Sequence, residues 1–417
     1  MTRETNPDYL EVNHCRIQTD SSLEIILTLG HQSLTGVFPA SVDEEVPVAP
    51  LELCWSPESG LVQLKHSFSA SAMYGDNYGY RSGLNPTMAS HLTRKVEKLR
   101  DLVQLRPGDT VVDIGSNDGT LLNTLAGQNM NLIGFDPVAK KFRNLYDEEI
   151  TVVEEFFDSD RFWDASSKKA RLITSIAMFY DVESPRDFVR HISSILDTEG
   201  IWHFEQSYLP SMLSTTSYDT ICHEHLEYYS FTVVKELLES EGLKVIDVET
   251  NSINGGSFAV SAAPMESALR ENGDVISWLI DRENNMGLGD RKIYDDFSAR
   301  VRQHKDSLVA LVNRLNASGY VVAGYGASTK GNVLLQYCGF GPDDIEFIGD
   351  VNPYKHGRFT PGTRIPIISE EDMHARKPDY LLVLPWHFRD FIIEKESDFL
   401  SAGGRLLFPL PEIEIVG

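Results

Sequence analysis

His223, Glu224 and His225 stand side by side in the run CHEHLEYY, Cys222–Tyr229. Two imidazoles and a carboxylate in three positions suit proton transfer. An imidazole titrates near neutrality and takes a proton at physiological pH. A metal site is the rival chemistry, but neighbouring side chains diverge along an extended chain and rarely reach one ion. A surface loop with incidental histidines is the bland alternative.

A second stretch has the form of a cofactor turn. VVDIGSNDGTLL, Val111–Leu122, reads as buried strand, glycine turn and helix start. Gly115 permits a tight turn and close approach of a ligand. In doubly wound sheets ligands bind beyond the carboxyl ends of the strands, so Gly115, Ser116, Asn117 and Gly119 are expected against the cofactor. Asp136 lies 21 residues after Gly115, followed by Pro137 at the end of the next strand. A carboxylate there accepts hydrogen bonds from ribose hydroxyls. The glycine spacing is G-x-x-x-G rather than G-x-G-x-x-G, which suits a nucleoside cofactor without a pyrophosphate, such as S-adenosylmethionine (SAM). Asp113 and Asn117 are placed for its amino-acid end. Ser175, Ile176 and Ala177 border the adenosine, and Phe156 and Phe157 flank the adenine. A nicotinamide cofactor and a ligand-free turn are the alternatives.

The elements that must position these residues fall into three regions. Residues 1–75 read as a small β-rich module with strands at Leu23–Leu29 and Ser59–Leu64. Residues 76–265 alternate strands (Asp109–Ile114, Asn131–Phe135, Ile150–Glu154, Leu172–Ala177, Ile201–Glu205) with helices such as Pro185–Leu196. That alternation predicts a parallel sheet wrapped by helices, an α/β Rossmann-like domain. Residues 266–417 begin with a polar helical stretch, Glu266–Gly319. A second, smaller Rossmann-like pattern follows, with strands at Tyr320–Ala323, Ile345–Ile348, Tyr380–Leu384 and Arg405–Phe408. In it, GYGASTKGN, Gly324–Asn332, follows a strand and opens a helix. Its amides and Lys330 could cradle a phosphate. Trp386 and His387 end another strand and are expected to face the same cleft.

The 417 residues exceed what one core supports. The net charge of −25 opposes binding to nucleic acid or anionic membrane. No stretch approaches the roughly 18 apolar residues of a membrane span. The start lacks the apolar run of a secretory signal, so a cytoplasmic location is expected. The four cysteines, Cys15, Cys54, Cys222 and Cys338, form no C-x-x-C pair.

Nine strings occur together in order: LCWSPESGLVQL, YGDNYGYRSGLN, VVDIGSNDGTLL, SIAMFYDVESP, HFEQSYLP, ICHEHLEYYS, INGGSFAV, GYGASTKGN and LVLPWHF. With them the chain resembles the three-domain SAM-dependent C-methyltransferases of bacterial deoxysugar pathways, the family of tetronitrose C-3 methyltransferase. The resemblance implies a nucleotide-linked 4-keto sugar as acceptor, S-adenosylhomocysteine as product and a monomer. It implies His225 as general base, with Glu224 orienting an imidazole or binding a sugar hydroxyl and His223 as alternative base. Tyr78 joins the catalytic candidates. Tyr74, Tyr80, Arg81, Tyr180, Asp181, Lys330, Asn332, Trp386 and His387 are expected on the substrate. The family's amino-terminal zinc module carries two C-x-x-C pairs. Here Gln18 and Pro57 replace one cysteine of each, and zinc is not expected. The rival functions are O- or N-methyl transfer to a sugar or small metabolite, an inactive SAM or nucleotide-sugar binding protein, and a nicotinamide oxidoreductase using the last domain.

Overall fold

The computed structural model describes residues 9–69, 73–74 and 81–417. Its largest sheet has seven strands in the order Leu243–Asn251, Ser257–Pro264, Leu196–Ser207, Ala170–Ile176, Thr110–Ile114, Asn131–Phe135 and Ile150–Val153. The last five run parallel and the first two pair antiparallel. Every residue of Thr110–Ile114 is buried, as a strand covered on both faces requires. The helix Pro86–Val103 covers one face. Pro86 opens it, and the Asn85 side chain caps it by accepting from the amides of Thr87 and Met88. Its Met88, Leu92, Val96, Leu99 and Val103 recur at helical spacing and are buried.

The chain order reverses between Thr110–Ile114 and Ala170–Ile176, so a switch point opens at their carboxyl ends. A second parallel sheet has the order Ile367–Ser369, Ile348–Asp350, Val322–Tyr325, Tyr380–Val383, Arg405–Phe408, with Glu414–Val416 antiparallel at one edge. Its switch point lies between Val322–Tyr325 and Tyr380–Val383.

The amino-terminal sheet, Glu24–Ser33, Val48–Trp55 and Val62–Leu64, receives a fourth strand, Glu227–Tyr228, from the central region. The CHEH run therefore meets this module as a turn leading into its edge strand. The segment expected as one helical stretch is two helices, Gly273–Met286 and Arg291–Ala317. Gly287 ends the first in the left-handed conformation, and the Asp290 side chain caps the second. Trp55 of the module packs on Tyr294 with ring centroids 5.1 Å apart. Among the described residues no helix is long and apolar enough to cross a membrane.

Candidate active site

At the first switch point Gly115 has φ +77°, and a Cβ there would stand 3.0 Å from Met178. Gly119 has φ +75°, and a Cβ would stand 2.7 Å from the Tyr146 ring. The Tyr146 hydroxyl donates to the Asn117 carbonyl at 2.8 Å and bonds the Ser116 hydroxyl at 2.9 Å. The Asp136 carboxylate accepts from the amides of Asn117 and Val138, both at 2.8 Å. One oxygen therefore braces the glycine turn and the other the loop that follows Asp136. Asp113 accepts from the Thr174 hydroxyl at 2.7 Å. Burial, aided by the charge of Asp136, pushes its carboxyl up to about 7.

The other wall ends at Ile176 and Ala177. The Ala177 amide donates to the Glu205 carbonyl at 2.7 Å. The buried Ser175 hydroxyl accepts from the Trp202 indole at 3.1 Å, a packing role. Phe157 stands edge-on to Phe135 at 5.2 Å, and Phe156 is exposed. In front, the amides of Ser82 and Gly83 donate at 3.0 Å to Asn117 Oδ1 and Asp118 Oδ2. Arg81 pairs with Asp118 at 3.6 Å and lies over the Phe142 ring. Its charge thus serves the cofactor turn. Tyr78 and Tyr80 lie outside the described residues. Tyr74 hydrogen-bonds Asp181, whose carboxyl burial pushes well above the usual range.

The CHEH run is a turn closed by the His225 amide on the Cys222 carbonyl at 3.1 Å. It sends its three polar side chains to three places. His225 Nδ1 lies 2.9 Å from the Thr220 carbonyl and must donate to it, which leaves the lone pair on Nε2. Its ring packs on Tyr180 with centroids 4.3 Å apart. Burial, then the Lys330 ammonium, pushes its pKa down to about 4, so it is neutral at pH 7. His223 turns towards the amino-terminal module, edge-on to Phe68 at 5.1 Å and 3.4 Å from the Pro50 carbonyl. Glu224 accepts from the Thr35 hydroxyl at 3.1 Å and the Gly36 amide at 3.2 Å. The Thr35 carbonyl in turn accepts from Asn332 at 2.8 Å. Glu224 and Asn332 thus clamp one loop of the module.

The second switch point faces the first. Lys330 Nζ donates to the Asn254 carbonyl at 2.6 Å, and the Trp386 indole donates to Asp219 at 2.7 Å. Burial, then Lys330, pushes His387 down to about 3. Most of the GYGAST amides are spent internally. Gly324 donates to the Phe347 carbonyl, Gly326 to the Gly349 carbonyl, Ala327 to Asp350 and Ser328 to the Gly326 carbonyl. That leaves little for a phosphate, contrary to the cradle the sequence suggests. The structure brings together His225, Tyr180, Lys330, Trp386 and His387, and turns His223 and Arg81 elsewhere. Sequence reasoning missed Asp219, Asn254, Tyr146 and Thr174. The glycine pair after Asn254 was the available signal for one of them: Asn254 has φ +55°, and a Cβ on Gly256 would stand 2.6 Å from Ser211.

Three family models match the chain: a putative zinc binding domain over residues 15–74, a methyltransferase domain over 87–248 and a C-methyltransferase C-terminal domain over 252–411. The chain is 30% identical over 409 residues to C-methyltransferase NovU of Streptomyces niveus, covering 97% of each. Among solved structures it is similar to magnesium protoporphyrin IX methyltransferase of Synechocystis PCC 6803 with bound S-adenosylhomocysteine. That likeness has 17% identity and a TM-score of 0.34, over 46% of this chain and 91% of the other. A SAM-dependent methyltransferase of Clostridium acetobutylicum ATCC 824 gives 12% identity and a TM-score of 0.33, over 42% and 92%.

The zinc named by the first match does not fit the residues present. A cysteine binds zinc as its thiolate. Burial pushes the Cys54 thiol up to about 12, and the Cys15 thiol bonds the Ser59 hydroxyl at 3.1 Å. Among the described residues no group of three or more His, Cys, Asp or Glu is arranged for a metal. Excess chelator is expected to leave the thermal midpoint within about 1 °C, because no metal-binding free energy is at stake. A fall of several degrees that added zinc reverses would contradict this.

SAM does fit. The glycine turn admits no Cβ, carboxyls end the two adjacent strands, and the Arg81 guanidinium beside the turn is already paired with Asp118, as a cofactor without phosphate allows. When bound, SAM supplies a methyl group already activated on a sulfonium. With this turn, the matches along its length and its full-length relative, the chain belongs to the family of SAM-dependent C-methyltransferases that includes NovU.

Proposed function

We propose that the acceptor is a carbon alpha to the ketone of a nucleotide-linked 4-keto sugar, and that His225 removes its proton to form an enolate. The observation that carries this reading is the tethered imidazole. Nδ1 is held on the Thr220 carbonyl, so a neutral Nε2 is presented where the two switch points meet. Asp113 and Asn117 hold the amino-acid end of SAM, and Asp136 shares its oxygens with the ribose. Glu224 acts through Thr35 and Gly36, keeping the amino-terminal module closed on the site.

Two measurements test the reading. The first is exchange of the alpha hydrogen in D2O, with S-adenosylhomocysteine present and the 4-keto-6-deoxyhexose diphosphates of thymidine, uridine, guanosine and cytidine as probes. Exchange with one of the four is expected. Methyl transfer without exchange would point to an oxygen or nitrogen acceptor instead. The second is calorimetric binding of S-adenosylhomocysteine against pH. Its ammonium needs Asp113 ionised, and a carboxyl raised to about 7 is mostly protonated at pH 6. Affinity is therefore expected to rise about tenfold from pH 6 to pH 8. A flat profile would remove Asp113 from that role.

A further inference from the structure

Enolate formation needs more than a base. As the alpha C–H bond breaks, its proton passes to His225 Nε2 and its electron pair becomes the new C=C bond. The carbonyl π pair moves onto oxygen, which needs a donor or cation already in place.

Lys330 meets that need by position. It is the second residue of the helix Thr329–Cys338, which the carboxy-terminal region carries into the junction. One ammonium proton goes to the Asn254 carbonyl, and two more are available to donate. Asp219, held by the Trp386 indole, is its counter-charge. The groups facing His225 and Lys330 come from several elements: Tyr180 packs on the His225 ring, and Asp219, Cys222 and His387 interact with the Lys330 ammonium.

The surroundings point to a ligand. Asp219 Oδ1, Thr220 Oγ1, Asn332 Oδ1 and His387 Nδ1 are buried without a hydrogen-bond partner among the described residues. Buried polar atoms are almost always paired. Four unpaired ones on the elements around one ammonium suit a ligand rich in hydroxyl and carbonyl groups. The charges also balance. Burial lowers the Lys330 pKa and raises that of Asp219, while each favours the charged form of the other, and proton transfer creates an imidazolium and an enolate together, so the net charge of the site does not change. A diphosphate bound to Lys330 would break that balance, and most of the adjoining amides are already taken.

We propose that Lys330 is the electrophile of this site: its ammonium donates to the keto oxygen of the acceptor and holds the negative charge that develops there. This rests on the keto-sugar reading above. The carboxy-terminal region then contributes directly to the chemistry.

The test compares Lys330→Met, Lys330→Gln and Lys330→Arg in the full chain, using whichever of the four nucleoside diphosphate keto sugars the parent protein exchanges. Calorimetry with S-adenosylhomocysteine checks that each variant is folded. Glutamine keeps a donor for Asn254 without the charge, so it stands in should methionine disturb the turn. Alpha-hydrogen exchange and kcat are expected to fall on the order of 100-fold in both neutral variants, with KM changed by less than about fivefold. Arginine is expected to restore at least about a tenth of the parent rate. The acid limb of the neutral variants' pH profile should move up, because His225 no longer faces a cation. Neutral variants within about fivefold of the parent kcat would overturn the assignment. So would equal loss in all three with an unmoved acid limb, which marks a merely structural lysine. Absence of exchange in the parent protein with every probe would instead overturn the keto-sugar reading itself.

Discussion

Replacing His225 by alanine is expected to lower kcat by about 10³, within the range general-base removal produces, while S-adenosylhomocysteine affinity stays within about twofold. The separation is expected because His225 belongs to the turn after Thr220, whereas the cofactor turn is built from Gly115–Gly119 and braced by Tyr146 and Asp136. As the proposed base, the same residue is expected to set the pH profile of the parent protein. A base works only when neutral. Burial, then Lys330, lowers the His225 pKa to about 4, so the working form persists well below the usual imidazole midpoint. With SAM saturating, kcat is therefore expected to hold from pH 8 to about pH 5 and to fall only as the pH approaches 4. An acid limb near the ordinary value of about 6.5 would show that neither burial nor Lys330 acts on this ring. A His225→Ala variant with a near-parental rate would remove it as the base.

Gly119→Val is expected to cost both the cofactor and stability. Its φ of +75° is left-handed, which for a β-branched residue costs about 1–2 kcal/mol. The new Cβ would stand 2.7 Å from the Tyr146 ring, and such overpacking costs about 1–3 kcal/mol more. A displaced Tyr146 withdraws its hydroxyl from Ser116 and from the Asn117 carbonyl, and the turn loses its brace. S-adenosylhomocysteine affinity should fall by about 100-fold or more, equivalent to about 3 kcal/mol. Adding Tyr146→Ala removes the collision but not the backbone strain. The double variant should regain part of the thermal midpoint and little of the affinity. An unchanged midpoint and affinity in the single variant would mean that the turn tolerates what its geometry forbids.

These two sites differ in how far they were legible in the chain. The glycine turn is local. Strand, Gly115, Gly119 and the next strand end at Asp136 lie within a short span, and hydrophobic runs with positive-φ glycines specify such a unit directly. The two parallel sheets and their switch points were readable for the same reason, apart from strand ends shifted by a few residues and the break at Gly287. The His225 side is not local. The pair Asp219–Trp386 joins residues 167 apart, and Thr35–Asn332 joins residues 297 apart. No periodicity encodes such meetings, because they depend on how three regions pack.

Tertiary structure also decided what each polar group was free to do. Glu224 reads in the chain as a partner for imidazole or sugar, yet Thr35 and Gly36 take its carboxylate. Arg81 reads as a substrate ligand, yet Asp118 lies within reach first. His223 and His225 are equivalent as residue types, but the turn sends one ring to Phe68 and the other to Tyr180. A sequence determines which donors and acceptors exist and the local frame that carries them. Which are already paired, and which are left for a substrate, is settled by burial, since a buried polar group takes the nearest partner the packing supplies.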